Sequence, residues 1–191
     1  MPGRIQDNNP AISALLYSVS VNNDEPSYRR LFHIFFPSLK RFAWCLLRSA
    51  EPAEEIASDA MIAIWENRHR LMEIENIRVW LFVIVRNKCL NLLRQQQARA
   101  TLALDDLRVD ISFPGKDPEQ ICISSEMRKK MEKAVNSLPQ RCKLIFKLVK
   151  EEGLSYKEVA DILEISSKTV DAQLVTALRK ITQAVRLEYS L

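Results

Sequence analysis

Leu154-Ser155-Tyr156-Lys157-Glu158-Val159 is the stretch whose reading decides the fold. Ser155 is placed to cap the amide of Glu158 while the Glu158 carboxylate reaches back to Ser155, which makes a capping box. Leu154 and Val159 occupy the two positions of a hydrophobic staple across the same helix start. The helix so begun is short and ends at Leu163. Ser166 then offers a second N-cap, and Val170, Leu174, Leu178 and Ile181 recur at the spacing of one inward stripe. Two helices joined by so tight a turn form a helix-turn-helix. Upstream, Pro139 opens another helix through Leu148, and Gly153 suits the left-handed position beyond its end. Glu164 stands in the tight turn where glycine is common, so either it accepts left-handed backbone or the turn differs.

With Val170, Leu174 and Leu178 inward, the last helix presents Ser167, Lys168, Asp171, Gln173, Thr176 and Arg179 outward. Groups of these types reach phosphates and base edges, and a helix of this width fits the major groove. Asp171 repels phosphate, so it would accept a hydrogen bond from cytosine or orient a neighbour. The plainer alternative is a solvated face on a helical bundle.

The N-terminal half is also helical in period. From Pro26, apolar residues recur at Leu31, Phe35, Leu39, Phe42 and Leu46. The chain restarts at Glu51-Pro52, with Glu54 and Glu55 suited to the positive end of a helix, and Ile56, Ala60, Ile64 and Trp65 make its stripe. A polar loop from Glu66 to Asn76 precedes a third helix from Ile77 to Gln97, with Trp80, Leu81, Ile84, Val85, Cys89, Leu92 and Leu93 apolar. That helix interleaves Arg78, Trp80, Phe82, Arg86, Asn87, Lys88, Asn91 and Arg94, the mixture of aromatic and basic groups that holds single strands. Alternatively, Trp80 and Phe82 are simply core.

Residues 98–120 lose the periodicity and contain Pro114, Gly115, Pro118 and five acidic residues, which reads as a linker. A stretch of this length without elements, about 20 residues, argues for two domains. The expectation is therefore an all-α protein of two small helical domains, residues 25–97 and 121–191. An acidic, flexible linker at 98–120 joins them, and the second domain is a helix-turn-helix. Ahead of these, Ala11 to Val21 suits one short helix, and residues 1–24 carry no assigned role.

Composition narrows the chemistry. The chain has 191 residues, 47% hydrophobic and 27% charged, with a net charge of +4 and only 3 glycines. A dinucleotide turn is impossible with glycines only at Gly3, Gly115 and Gly153. A P-loop fails as well, because Asp110 and Asp117 flank Gly115-Lys116 where Gly and Ser or Thr belong. The charge is blocked: residues 28–97 and 121–191 each carry +4, whereas 1–27 and 98–120 each carry −2. Two basic blocks suit a polyanion, although a modest basic excess also serves solubility. Cys45, Cys89, Cys122 and Cys142 form no C-x-x-C pair, and His33 and His69 lack neighbours at ligand spacing, so no metal or cofactor is expected. No signal-peptide core or membrane-length apolar run occurs, which points to a reduced, cytoplasmic protein without membrane insertion. No Cys/His, Ser/His/Asp or metal constellation marks an enzyme.

Longer stretches resemble a family. Pro37-Ser38-Leu39-Lys40-Arg41-Phe42-Ala43, Ala53-Glu54-Glu55-Ile56-Ala57-Ser58-Asp59 leading to Ile64-Trp65, and Trp80-Leu81-Phe82-Val83-Ile84-Val85-Arg86-Asn87 leading to Leu93-Arg94 resemble region 2 of bacterial RNA polymerase sigma factors. Leu138-Pro139 through Leu154-Ser155-Tyr156-Lys157-Glu158-Val159-Ala160 to Lys168-Thr169-Val170 resembles region 4. An acidic linker with no domain between them is the layout of the extracytoplasmic-function group.

The resemblance implies a factor that directs RNA polymerase core to specific promoters, with promoter DNA met as duplex and as melted strand, and an anti-sigma factor as a further partner. Glu55, Ser58 and Asp59 would dock the polymerase, with Ser58 standing where the family more often has Gln. Arg78, Trp80, Arg86, Asn87, Lys88 and Arg94 would meet the minus-ten element, and the Arg68 to Asn76 segment would capture a flipped base. Ser167, Lys168, Asp171, Gln173, Thr176 and Arg179 would read the minus-thirty-five element. The competing reading is a one-component helix-turn-helix regulator whose N-terminal helices bind a ligand or dimerise. A protein-only all-α adaptor is a third.

Overall fold

The computed structural model describes residues 10–99 and 132–187, with side chains described for 10–96 and 132–183. No strand occurs among the described residues. The chain divides into two compact units, at Met1–Asp106 and Leu107–Leu191. In the first lie α1 (Pro10–Asn22), α2 (Glu25–Leu47), α3 (Ala50–Glu66), a 3-10 turn at Arg68–Glu73 and α4 (Ile77–Arg99). The second contains α5 (132–136), α6 (Gln140–Lys150), α7 (Tyr156–Leu163) and α8 (Ser167–Leu187).

Local chemistry sets the boundaries of the first unit. The Asp24 carboxylate accepts the Ser27 amide at 2.9 Å and caps α2, with Pro26 in the first turn. That capping lowers the Asp24 pKa, through its side-chain and backbone hydrogen bonds to Ser27. The helix runs through Pro37 to Arg48, whose left-handed backbone (φ 58°) stops it. Arg48 Nε and Nη2 are buried without a hydrogen-bond partner. Asn76 caps α4, its Oδ1 accepting the Val79 amide at 3.1 Å. Within the unit, α2 packs on α1, α3 and α4.

The core of this unit joins Leu31, Phe35, Leu39 and Phe42 of α2 to Ile56, Ala60, Met61 and Ile64 of α3 and Ile77, Leu81, Phe82 and Val85 of α4. Leu46 and Trp65 are half-buried rather than core. Phe42 and Phe82 meet with ring centroids 5.1 Å apart, a contact of about 0.5–1.5 kcal/mol beyond area burial. α1 lies before the expected boundary at residue 25, and Ile12, Leu16 and Val19 are its buried residues where it packs on α2 and the 3-10 turn. The expected polar loop at 66–76 is instead largely a 3-10 turn, because Leu71 is fully buried and pins it to the core. Residues 98 and 99, expected in the linker, continue α4; residues 100–120 lie outside the described residues.

The second unit follows the capping signals closely. Glu158 N donates to Ser155 Oγ at 3.3 Å and Ser155 N donates to Glu158 Oε2 at 2.7 Å, completing the capping box. Leu154 and Val159 are buried as a staple requires. The Thr169 amide donates to Ser166 Oγ at 3.0 Å at the start of α8. Gly153 sits at φ +67°, and Glu164 accepts φ 54° in the turn between α7 and α8. Ala134, Leu138, Cys142, Ala177 and Ile181 form one cluster, against which Val135 and Phe146 pack. One inward assignment is corrected: Ala177 is fully buried, whereas Leu178, one residue on, is 42% exposed.

Candidate nucleic-acid interface

Three faces carry the candidate residues, and the fold treats them differently. On α3, Glu55 is exposed and Ser58 and Asp59 are half-buried. The Ser58 hydroxyl donates to the Glu54 carbonyl at 2.8 Å, so it is turned onto its own helix. Two cations from neighbouring helices brace this face: Lys40 Nζ lies 2.6 Å from Glu54 Oε2, and Lys88 Nζ lies 2.8 Å from Asp59 Oδ2. The second pair ties a residue expected at polymerase to one expected at DNA, a link that linear spacing does not reveal.

On α4, Asn87, Lys88 and Arg94 are exposed, and Arg78 and Trp80 are half-buried. Arg86 departs from the expectation. It is 7% exposed, and its guanidinium donates to Asn87 Oδ1 at 2.9 and 3.2 Å. Arg86 therefore supports the Asn87 side chain from beneath instead of offering a free charge to phosphate. Of the two aromatic residues interleaved on this helix, Phe82 is 1% exposed and packs on Phe42 as core, whereas Trp80 keeps part of its surface in the open. Arg94 donates to Asn91 Oδ1 at 3.3 Å on the exposed side of the helix.

The 68–76 segment is anchored at one end. Arg68 Nε donates to Asn23 Oδ1 at 2.6 Å and Nη1 donates to the Trp65 carbonyl at 2.9 Å, while its guanidinium lies 5.1 Å from the centre of the Trp65 ring. Trp65 packs in turn on Tyr28, whose hydroxyl donates to the Met61 carbonyl at 3.1 Å. His69, Arg70, Glu73 and Glu75 remain exposed, with Arg70 Nε 2.9 Å from Glu73 Oε2.

On α8, Ser167, Lys168, Asp171 and Arg179 are exposed as expected. Gln173 is corrected: it is half-buried on the α6 side, where the Cys142 thiol donates to its Oε1 at 2.7 Å. Thr176 is half-buried with its hydroxyl on the Ala172 carbonyl at 2.9 Å. Ala172 and Val175 also stand in the open on this helix, and their apolar type carries no polar signal that would single them out in the sequence.

Cys45, Cys89 and Cys142 are buried thiols outside any disulfide, and burial pushes the Cys89 thiol up to about 12. Cys122 lies outside the described residues. No group of metal-binding side chains is found among the described residues, and no described helix is long and apolar enough to cross a membrane.

These features define an all-α protein of two helical units, each with a basic helix face in the open, the second a helix-turn-helix. The Sigma-70 region 2 family matches residues 31–99 and the Sigma-70, region 4 family matches residues 128–181, in the order the motifs require. The chain is 24% identical over 173 residues to the ECF RNA polymerase sigma factor RpoE of Cereibacter sphaeroides, covering 89% of this chain and 92% of that one. It is 25% identical over 171 residues to the ECF RNA polymerase sigma factor SigM of Mycobacterium tuberculosis, covering 90% and 83%. Its fold is similar to that of RpoE from Bartonella quintana, solved with the anti-sigma factor NepR (TM-score 0.56, 20% identity, covering 83% of this chain and 96% of that one). It is also similar to that of CnrH, solved with the cytosolic domain of CnrY (TM-score 0.54, 17% identity, 93% and 98%).

The chain belongs to the extracytoplasmic-function group of the sigma-70 family. It is a transcription initiation factor that directs RNA polymerase core to promoters, and the one-component regulator is not favoured. That alternative needed the N-terminal helices for a ligand or a dimer, and those helices match region 2.

Proposed function

We propose a division of labour among the three faces. Glu55 and Asp59 on α3 dock the polymerase core. Asn87, Lys88 and Arg94 on α4, with Arg78 and Trp80 at their flank, meet the minus-ten element as it opens, beside the 68–76 segment that takes an unstacked base. α8 enters the major groove at the minus-thirty-five element through Ser167, Lys168, Asp171, Thr176 and Arg179. On this reading region 2 occupies residues 25–97 of the first unit and region 4 residues 121–191 of the second, and the stretch between them serves as the tether.

The observation that carries the proposal is the pairing of Arg86 with Asn87. A buried arginine donates two hydrogen bonds to an exposed amide oxygen, which fixes the direction in which that amide presents its NH2 donors. A side chain preorganised in this way suits capture of a base edge. The protein acts by binding alone and is not an enzyme: unstacking a base costs a few kcal/mol, offset by stacking of about 1–3 kcal/mol per base and by contacts in a pocket. Joining two readers by a tether makes the second contact intramolecular. The protein works in the cytoplasm, and by analogy with the RpoE and CnrH complexes an anti-sigma polypeptide holds it inactive.

The test is Asn87→Asp in holoenzyme. Aspartate keeps the oxygen that Arg86 needs, so the fold is retained, but it sets a carboxylate where a base edge and phosphates should lie. Permanganate reactivity should fall on a duplex promoter and recover in part on a template already unpaired at the minus-ten element. Equal loss on both templates, or no loss on either, refutes base capture by this face.

A further inference from the structure

Val175 is the most exposed large hydrophobic residue described, at 58%, and it lies on the helix proposed to read the upstream element. Lys168, Ala172, Val175 and Arg179 follow one another at i, i+4, i+7 and i+11, all exposed. At 100° per residue they fall within about 60° of arc. The buried residues Val170, Leu174, Ala177 and Ile181 occupy the opposite side. The centre line of the outward face is thus a cation, a methyl, an isopropyl group and a second cation.

Neither Lys168 nor Arg179 takes part in an ion pair among the described residues, so both charges are available to an anionic partner. Eleven residues of helix at about 1.5 Å each set them roughly 16 Å apart along the axis, so a helix lying in the major groove carries a cation toward each end of its reading face. What lies between them then faces the groove floor, where the apolar groups of DNA are thymine methyls. A branched side chain is a poor choice for an exposed helix position, where Ala, Lys or Glu would serve propensity better.

Building on the assignment of α8 to the upstream element, we propose that Val175, with Ala172 beside it, is a specificity-determining residue that reads thymine C5-methyl groups in the major groove. Discrimination at these positions is by apolar contact. The flanking charges fix the register and add affinity without sequence information.

The experiment removes the methyl and nothing else. Holoenzyme selects duplexes from a library randomised over the upstream element. Each thymine in an enriched duplex is then replaced singly by deoxyuridine, and the equilibrium affinity is measured for the wild-type protein and for Val175→Ser. One or two thymines should show about a fourfold loss with deoxyuridine, the equivalent of one buried methyl. In Val175→Ser the thymine duplex should bind more weakly, deoxyuridine should make no further difference at that position, and the salt dependence should be unchanged because both cations remain. An enriched element without thymine, insensitivity to deoxyuridine, or equal sensitivity in the variant overturns methyl reading while leaving α8 as the upstream reader. Failure to enrich any upstream sequence overturns that assignment as well.

Discussion

Asp59 poses a question that a single substitution cannot answer, because it is both a proposed polymerase contact and one half of an ion pair with Lys88. The pair joins α3 to α4 at 2.8 Å with side chains 42% and 43% exposed. At that exposure solvent screens it, and a pair of this kind contributes about 0.2–1 kcal/mol. Asp59→Lys removes the attraction and sets two ammonium groups face to face, a loss of about 1 kcal/mol in all. Against a typical domain stability of about 5–15 kcal/mol that leaves the chain folded. Any large defect in polymerase binding would therefore come from a lost contact.

The double variant Asp59→Lys with Lys88→Asp separates the two roles. It restores the α3–α4 pair with its polarity reversed, so the urea midpoint should return to within a few tenths of a kcal/mol of wild type. Affinity for polymerase core, measured by competition between labelled and unlabelled factor, should stay at least tenfold weaker, because the acid proposed to meet the polymerase is now a base. Promoter contacts report independently through Lys88. A double variant that regains core affinity along with stability would show that Asp59 matters only as a brace, and the docking face would have to be sought elsewhere on α3.

Other consequences follow from single features. Replacing Arg48 or Glu164, at φ 58° and 54°, by glycine removes left-handed strain and should raise stability in urea by about 0.5–1 kcal/mol. Phe82→Ala should cost about 3–5 kcal/mol in the first unit and abolish activity by unfolding it, which thermal melting would distinguish from loss of a DNA contact. The Cys89 thiol has its pKa raised from 9.0 to about 12, so both states hold the proton below pH 9 and only the unfolded state releases it between pH 9 and 12. Stability should therefore fall as pH rises through that window, and less so in Cys89→Ala; an identical alkaline slope in both proteins would contradict the assignment.

How much of this was legible in the sequence depends on how local the cause is. The capping box at Ser155 and Glu158, the staple and the second cap at Ser166 involve residues within a few positions of one another, and all appear in the fold. The turn at Glu164 was legible as a choice between two outcomes, and the backbone took the left-handed one. Errors arose where a neighbouring helix decides. Periodicity placed Leu178 inward, yet the α6 side of α8 buries Ala177, and the interface with α6 turns Gln173 toward Cys142. Arg86 looked like a phosphate ligand because arginine usually is one; three-dimensional packing made it a support for Asn87.

The same contrast explains why polymerase docking and DNA contact were readable only as separate residue sets. Asp59 and Lys88 lie 29 positions apart, and neither helix records in its own pattern that the other will sit beside it. Their pairing gives the first unit one continuous surface, on which the α3 acids proposed to face polymerase run into the α4 bases proposed to face DNA. A polymerase element that displaced Lys88 from Asp59 would free an ammonium group next to Asn87, where DNA is proposed to open. Binding core and gaining affinity for the minus-ten element would then be linked through one displaced ion pair. Such linkage must be reciprocal, so occupancy of that element should tighten core binding by the same factor. Lys88→Met keeps the length of the stem without its charge. It should therefore reduce that mutual enhancement, while core affinity in the absence of DNA rises by no more than a few-fold, the worth of the exposed pair that core no longer has to break, about 0.2–1 kcal/mol. Enhancement of wild-type size in Lys88→Met would break the link.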